Sequence, residues 1–498
     1  MKRFVQLSQI SRKTDYDYCV IGGGPAGLMA AYELSRHGET LLLEAGVASS
    51  ERPYTDLRAE TTDSVLLSDH GTHPANPWTL RGPGGGMERY AGILIRYRLQ
   101  DFDRSSVFAH ASADPRWPIE YEDLRPYYDE VEQRFGVARA SGLDPTEPPS
   151  CAPFLPPHRT SARAALINEA FDELGVGHFP TPLGVNSRPF ARRPACTHCG
   201  HCNETRCQTG AKASLLPLVL GSGSNRRLRL AHAVTAEALR VDSTGRASSV
   251  ECLDTVEGRP ATVRARHFVI AAGALNSCAL LLRSTSRLHP RGLANGNDQV
   301  GRGIQFKLTG YAEVRAPARA LHGESPTLFS TTATTDFYHQ LPEGGCGGFV
   351  YDASAPGRSD TLRLHFVISE APMSENFVAP GPTAATRPNV VIRHSTHKVD
   401  RRRLRSLRSI AVGTLSRIDR RVRVHEEFNA TGMAHLAGGC RAGTDPRTSV
   451  VDPEGRLHQC DNVHVADSAY FPYAASANPT MTLIANALRI SRQLAQQS

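Results

Sequence analysis

The stretch from Tyr16 to Glu44 constrains the fold more than any other part of this chain. Tyr16 to Ile21 is a short β-branched and aromatic run that reads as a buried strand. Gly22, Gly23 and Gly24 make a tight turn, Pro25 stands where a first helical turn tolerates it, and Ala26 to Leu34 continues as helix until Gly38. Thr40 to Glu44 is a second strand, which closes a β-α-β unit. Gly22-x-Gly24-x-x-Gly27 falls between strand and helix, the context a dinucleotide fingerprint requires. Gly22 permits the turn, Gly24 lets backbone approach a pyrophosphate, and Gly27 lets helix and strand pack closely. Pro25 and Ala26 open a helix whose free N–H groups and partial positive charge suit phosphates. Glu44, twenty positions after Gly24, is placed to accept hydrogen bonds from ribose hydroxyls. A second fingerprint for a nicotinamide is not supported, since 221–225 lacks a clean preceding strand and Arg226 stands where its third glycine should be.

At 498 residues the chain is expected to form two lobes. The predicted class is α/β: a Rossmann-type nucleotide-binding domain with a second α+β substrate-binding lobe. The nucleotide domain is expected to be discontinuous, over 13–110, 212–310 and 425–498. The other lobe takes 111–211 and 311–424, including a cysteine-rich loop. Further strands are predicted at 231–241, 249–254 and 262–271, with helices at 122–135, 400–422 and 479–497. In the 400–422 helix, Leu404, Leu407, Ala411, Leu415, Ile418 and Val422 recur every three or four residues.

Hydrophobic content of 40% and charged content of 21% indicate a folded globular chain. The formal charge of +8 is spread along the sequence and is nearly all arginine, lysine occurring only at positions 2, 13, 212, 307 and 398. That pattern fits solvated arginine faces rather than a nucleic-acid site. No run approaches the roughly 18 apolar residues that span a bilayer, and 1–17 lacks the apolar core of a signal peptide. A cytoplasmic protein without membrane or nucleic-acid partners is expected.

Eleven cysteines in a chain this long are not a disulfide framework. Four of them are crowded together as Cys196-x-x-Cys199-x-x-Cys202 followed by Cys207. Thiolates at such spacing can converge on a metal or an iron–sulfur cluster, although the last interval is one residue too long and no proline follows. Free or structural thiols are the competing reading.

Taken together, these segments resemble the glucose–methanol–choline (GMC) oxidoreductase family. The resemblance is carried by Val20 to Gly27, Leu41 to Gly46, Gly84-Gly85-Gly86 with Gly92, and Trp117 to Leu124 with Tyr127-Tyr128. It continues in Phe268 to Ala274, and in a tail of His435, Gly438, Cys440, Asn462 to Asp467 and Asn478-Pro479-Thr480-Met481-Thr482. It implies FAD as cofactor and oxidation of a small-molecule alcohol. It also implies His435 and Asn478 as the catalytic pair, Val234 beside the adenine, and Asp467 near the ribityl and phosphate groups. Gly85, Gly92, Ala272, Gly273, Pro479, Thr480 and Met481 join the expected cofactor contacts. Tyr90 stands where some members carry a flavin-linked histidine, so non-covalent FAD is expected, and Lys307 replaces a histidine common in the family. The length and the cysteine run are similar to members that oxidise a primary alcohol on aminoglycoside antibiotic intermediates. Asp336, Glu343 and Glu370 are acidic candidates for meeting an amino sugar.

The chemistry fits these residue types. A neutral imidazole can take a hydroxyl proton near neutral pH, and a carboxamide can hold the substrate oxygen. Three outcomes stay open: an oxidase using O2, a dehydrogenase passing electrons through an iron–sulfur centre to a carrier, and a non-catalytic flavin-binding redox sensor.

Overall fold

A computed structural model of the chain describes residues 4–9, 15–48, 64–68, 71–75, 77–105, 107–202, 206–221, 226–317, 328–342, 344–353, 360–383, 389–426 and 435–497. Glu343 and 222–225 fall outside these residues.

Six parallel strands form the spine, in the order Phe4–Val5, Leu228–Ala231, Thr40–Leu43, Tyr16–Ile21, Arg259–Ile270 and Cys460–Val465. Tyr16–Ile21 sits between its partners in register, with Val20 opposite Leu42 on one side and Val269 on the other. Cys19, Val20, Leu42, Phe268 and Val269 are fully buried, as expected of strands covered on both faces. The strand expected over 231–241 is two strands, Leu228–Ala231 and Val234–Val241, because Ala233 turns the chain at a φ of +57°. Val234–Val241 and Ala247–Asp254 then run as an antiparallel extension onto Arg259–Ile270.

Seven α-helices are described: α1 (Pro25–Leu34), α2 (Tyr121–Phe135), α3 (Ala162–Glu173), α4 (Leu216–Gly221), α5 (Ala274–Arg283), α6 (Lys398–Ser416) and α7 (Thr480–Gln497). Helix α7 packs on α1 and α2. Arg492 fastens the three, reaching Glu33 at 3.0 Å and Glu130 at 2.7 Å, while Tyr128 Oη meets Thr482 Oγ1 at 2.7 Å in the first turn of α7. Burial of Met481, Ile484, Leu488 and Leu494 holds this helix in place, each worth about 1.5–3 kcal/mol.

A second, antiparallel sheet has the order Ala333–Thr334, Gly348–Asp352, Thr361–Ile368, Leu308–Arg315 and Arg423–Glu426. Helices α3 and α6 close its far face over Leu308, Leu364, Phe366, Leu404, Leu407 and Leu415. Helix α6 ends at Ser416 rather than reaching Val422, because 423–426 must extend to pair with 310–313. A third sheet joins Phe377–Pro380, Val390–Arg393, Ser64–Ser68 and Gly71–Ala75. No described helix is long and apolar enough to cross a membrane.

Candidate active site

One cavity of about 510 Å³ opens at the carboxyl ends of the parallel strands, where Ile21, Leu43, Glu44, Ala271 and Asp467 meet its wall. This is where ligands bind in open α/β sheets. The turn after the first strand builds its floor. Gly22 holds a φ of +108°, and a β-carbon there would lie 2.3 Å from the Ala271 carbonyl oxygen. At Gly27 the β-carbon would fall 1.8 Å from the Gly22 carbonyl oxygen, so only glycine lets α1 come this close. At Gly24 it would meet nothing within 4 Å among the described residues, and the space above that residue is the cavity itself.

The lining suits a dinucleotide diphosphate. Helix α1 begins at Pro25 with no side chain capping its N-terminus, and Gly22, Gly24, Pro25 and Ala26 face the cavity. Three guanidinium-bearing residues, Arg81, Arg89 and Arg283, line the same wall. The fingerprint does not announce them, and their only signal is cationic residues near glycine-rich or helix-terminal sequence. Gly85, Val234, Ala272, Gly273, Pro479 and Thr480 also line the cavity. These residues fit FAD: the α1 terminus and the arginines would hold the diphosphate, with Glu44 and Val234 at the nucleoside end.

Glu44 is buried, and its carboxylate accepts from Gly23 N at 2.7 Å, Gly46 N at 2.6 Å and Gly82 N at 2.9 Å. Burial raises its pKa, opposed by those three amides and by Arg81. It therefore organises the turn as well as facing the cavity. Asp467 does the same at the other edge. It accepts from Gly273 N at 2.8 Å, Ser277 Oγ at 2.6 Å and Ala469 N at 2.8 Å, and burial again raises its pKa.

Three expected contacts do not reach the cavity wall. Gly27 is buried beneath the turn, and Met481 is fully buried on the inner side of α7. Gly92 packs toward Val185 and accepts a bond from Gly184 N at 2.7 Å, a role in chain packing. Tyr90 does line the cavity, with its hydroxyl donating to the Ala213 carbonyl at 3.2 Å.

His435 and Asn478, 43 residues apart in sequence, come together on this wall with Asn478 Nδ2 3.5 Å from His435 Nε2. Catalytic pairs often stand this far apart before substrate binds. His435 has a φ of +60°, in the left-handed region, where a non-glycine residue is held only by its surroundings. Paired bonds between Gln305 and Ala437, and Gly438 N donating to Ser468 O at 2.9 Å, supply that restraint. Burial, with Lys307 and His365 nearby, holds the His435 imidazole well below its ordinary pKa, so it is neutral and able to accept a proton. Its Nδ1 is buried and has no hydrogen-bond partner among the described residues.

His365 is a cavity histidine that sequence reasoning missed. It lies on the face of the alternating strand Thr361–Ile368 turned away from α3 and α6, opposite Tyr351, and its Nδ1 meets Tyr351 Oη at 2.6 Å. Burial and two nearby cations lower its pKa to about 4. A polar residue at an alternating position was the only available signal, and it does not say which face looks into a cavity.

Neither described acidic candidate for an amino sugar lines the cavity. Asp336 is exposed and accepts from Gly177 N, while buried Glu370 accepts from Phe306 N at 2.7 Å and contacts His394 Nε2 at 2.8 Å.

The cysteine run does not form the ligand set its spacing suggested. Among the described residues no group of three or more His, Cys, Asp or Glu side chains gathers to hold a metal ion. Local bonds occupy the loop instead. Cys196 Sγ accepts from His198 N at 3.3 Å, and Cys207 Sγ accepts from Lys212 N at 3.5 Å and lies 3.4 Å from Thr209 Oγ1. Lys212 Nζ donates to the carbonyls of Cys202, Glu88 and Tyr90, tying the loop to the cavity wall.

Comparison with known proteins agrees with this geometry. Residues 158–309 match the N-terminal GMC oxidoreductase domain and 372–487 the C-terminal one. The chain is 35% identical to 6'''-hydroxyparomomycin C oxidase of Streptomyces lividus, over 96% of this chain and 91% of that protein. It is also 35% identical to paromamine 6'-oxidase of Streptomyces fradiae, with the same coverage. Its fold is similar to that of pyridoxine 4-oxidase from Mesorbium loti, with a TM-score of 0.66 at 21% identity, covering 96% of this chain and 98% of the other. With both family domains present and this identity sustained over nearly its whole length, the chain belongs to the GMC oxidoreductase family and is an oxidoreductase.

Proposed function

We propose that this enzyme binds FAD non-covalently and oxidises an alcohol group on a sugar, amino sugar or polyol, with O2 as electron acceptor. The observation that carries the reading is the approach of Asn478 Nδ2 to His435 Nε2, at 3.5 Å, on the wall of the cavity that also holds the glycine cradle. Names of the two Streptomyces relatives support an aminoglycoside-like substrate. FAD supplies a two-electron acceptor for the hydride that leaves the alcohol carbon. His435, neutral because of its burial, takes the hydroxyl proton at Nε2. Asn478 donates to the same oxygen and holds it as it becomes a carbonyl. The alcohol thereby loses a proton to His435 and a hydride from carbon, which balances as an aldehyde or ketone product. Pro479 and Thr480 bring the N-terminus of α7 to the cavity, where its dipole favours developing negative charge by about 0.3–1 kcal/mol, up to ~2 when partly buried.

The cofactor domain is proposed to comprise 13–110, 212–310 and 425–498, with 111–211 and 311–424 as the substrate lobe. The strands Leu308–Arg315 and Arg423–Glu426 run across two of these limits, joining the parts through the second sheet.

The test is anaerobic mixing of FAD-loaded enzyme with a panel of polyols and aminoglycosides, following the flavin absorption band. His435→Ala is expected to keep FAD and slow band bleaching by about 10²–10⁴-fold. Unchanged bleaching in that variant removes His435 from the scheme. Re-oxidation by air would support O2, and re-oxidation only by an added carrier would overturn that choice.

A further inference from the structure

Lys307 is 3% exposed, yet its amine forms no ion pair among the described residues. Its Nζ donates to the carbonyl of Ser476 at 3.1 Å and to that of Ala477. The Ala477 carbonyl belongs to the peptide bond that leads directly into Asn478. The other side of Ala477 is held as well. Its N–H donates to Tyr338 Oη at 3.1 Å, and Tyr338 in turn donates to Asp101 Oδ2 at 2.8 Å. Ser476 Oγ accepts from Ser369 N at 3.0 Å. Ser476, Ala477 and Tyr338 are all buried, so this clamp works away from water, where each bond is stronger and each unmade bond more damaging.

Holding two backbone carbonyls does not by itself explain a lysine, because burying an amine is costly. The groups around Lys307 show what else the residue reaches. Asp101 is the carboxylate that favours its charge, and Asp101 is itself engaged by Arg104 at 2.7 Å, by Arg98 N at 2.8 Å and by Tyr338. On the cavity side it acts on His435 and His365, and Glu370 is bound next door by Phe306 N. Burial also holds the Lys307 amine well below its ordinary pKa, so its proton is loosely held.

We propose that Lys307 is a positioning residue for the reaction: by fixing the last peptide before Asn478, it sets where the carboxamide stands against the His435 imidazole. This rests on the assignment of Asn478 to the substrate oxygen made above.

The test is Lys307→Met in FAD-loaded enzyme, with the anaerobic rate of flavin reduction and substrate affinity measured across pH, beside Asn478→Ala, His435→Ala and the Lys307→Met/Asn478→Ala double variant. A displacement of the carboxamide by about 1 Å can slow reduction on the order of 10²-fold. Lys307→Met is expected to keep FAD and substrate affinity and to slow reduction by about that factor. In the Asn478→Ala background it should change the rate by less than about twofold, because independent effects multiply and shared ones do not. A full additional slowing there overturns the proposal, as does an unchanged rate in the single variant. Unchanged reduction in His435→Ala would sink the proton-acceptor assignment alone, since the Asn478 cycle still decides Lys307. If Lys307→Met does not retain FAD, Tyr338→Phe removes the opposite hold on Ala477. It should then slow reduction, and its effect should vanish in Asn478→Ala; persistence there refutes the clamp.

Discussion

Replacing Gly27 with alanine tests whether the α1 turn is as tight as the structure shows. The added β-carbon would sit 1.8 Å from the Gly22 carbonyl oxygen and 3.3 Å from the Ala271 β-carbon. Real β-carbons do not come nearer than 3.0 Å to such atoms, so α1 must retreat by more than about 1 Å. A radial gap of that size forfeits a quarter to a half of the dispersion energy across an interface. Helix α1 buries Ala26, Leu28, Met29, Ala30, Ala31 and Leu34 there. At about 1.5–3 kcal/mol for each large side chain, the loss is on the order of 2–4 kcal/mol. Alanine recovers about 1 kcal/mol as the better helix former, leaving a net destabilisation of about 1–3 kcal/mol. Gly24→Ala is the control. Its β-carbon meets nothing within 4 Å among the described residues, and its φ of −70° suits any residue, so the fold should lose no more than about 1 kcal/mol. That β-carbon instead occupies space over the α1 terminus, and FAD affinity should fall at least about tenfold, equivalent to ~1.4 kcal/mol. Urea denaturation of the apoprotein and a flavin fluorescence titration separate the two effects. An undiminished midpoint for Gly27→Ala, or unaltered FAD affinity for Gly24→Ala, would refute the reasoning.

Three other outcomes follow from the site and its surroundings. Because His435 is held well below its ordinary pKa, kcat/KM for a non-ionising alcohol should be flat through the usual imidazole range and fall only at lower pH; an acid limb near 6.5 would contradict this. Asp400 is buried against Arg403 at 2.7 Å and His110 at 3.3 Å, and Asp400→Ala should cost about 3–5 kcal/mol in denaturant unfolding. Burial raises the Asp400 pKa, but bonds from His110, Arg403 and Ala371 N outweigh it and lower the value overall. Its contribution is therefore present above the unfolded carboxylate range near ~3.9 and is lost as pH falls through the depressed folded value. In the cysteine loop, burial raises the Cys207 pKa, but Thr209 and three backbone amides bring it below its ordinary value, whereas burial pushes Cys202 up to about 12. Iodoacetamide should label Cys207 before Cys202 in peptide mapping, and the reverse order would dismiss the local-bond account of the loop.

Much of the site lay within reach of sequence because its signals are local. A strand, three glycines and a helix in immediate succession define their own geometry, so the turn from Gly22 to Gly27 is readable without its surroundings. The edges were harder. Whether α6 ended at Ser416 or Val422 depended on a strand more than a hundred residues earlier, since Leu308–Arg315 claims 423–426 as a partner. The cysteine spacing allowed convergence, but the actual placement depends on Lys212 drawing the Cys202 carbonyl toward Glu88 and Tyr90.

Sequence alone established the nucleotide cradle, the family resemblance and the candidates His435 and Asn478, because short spacings and side-chain chemistry travel with the chain. Tertiary structure decided that His365 faces the cavity, that Gly27, Gly92 and Met481 lie behind its wall, and that Lys307 grips the peptide before Asn478. Those facts depend on which distant segments pack together. Lys307 and Ala477 are separated by 170 positions, and only the closed fold gives the amine its carbonyl.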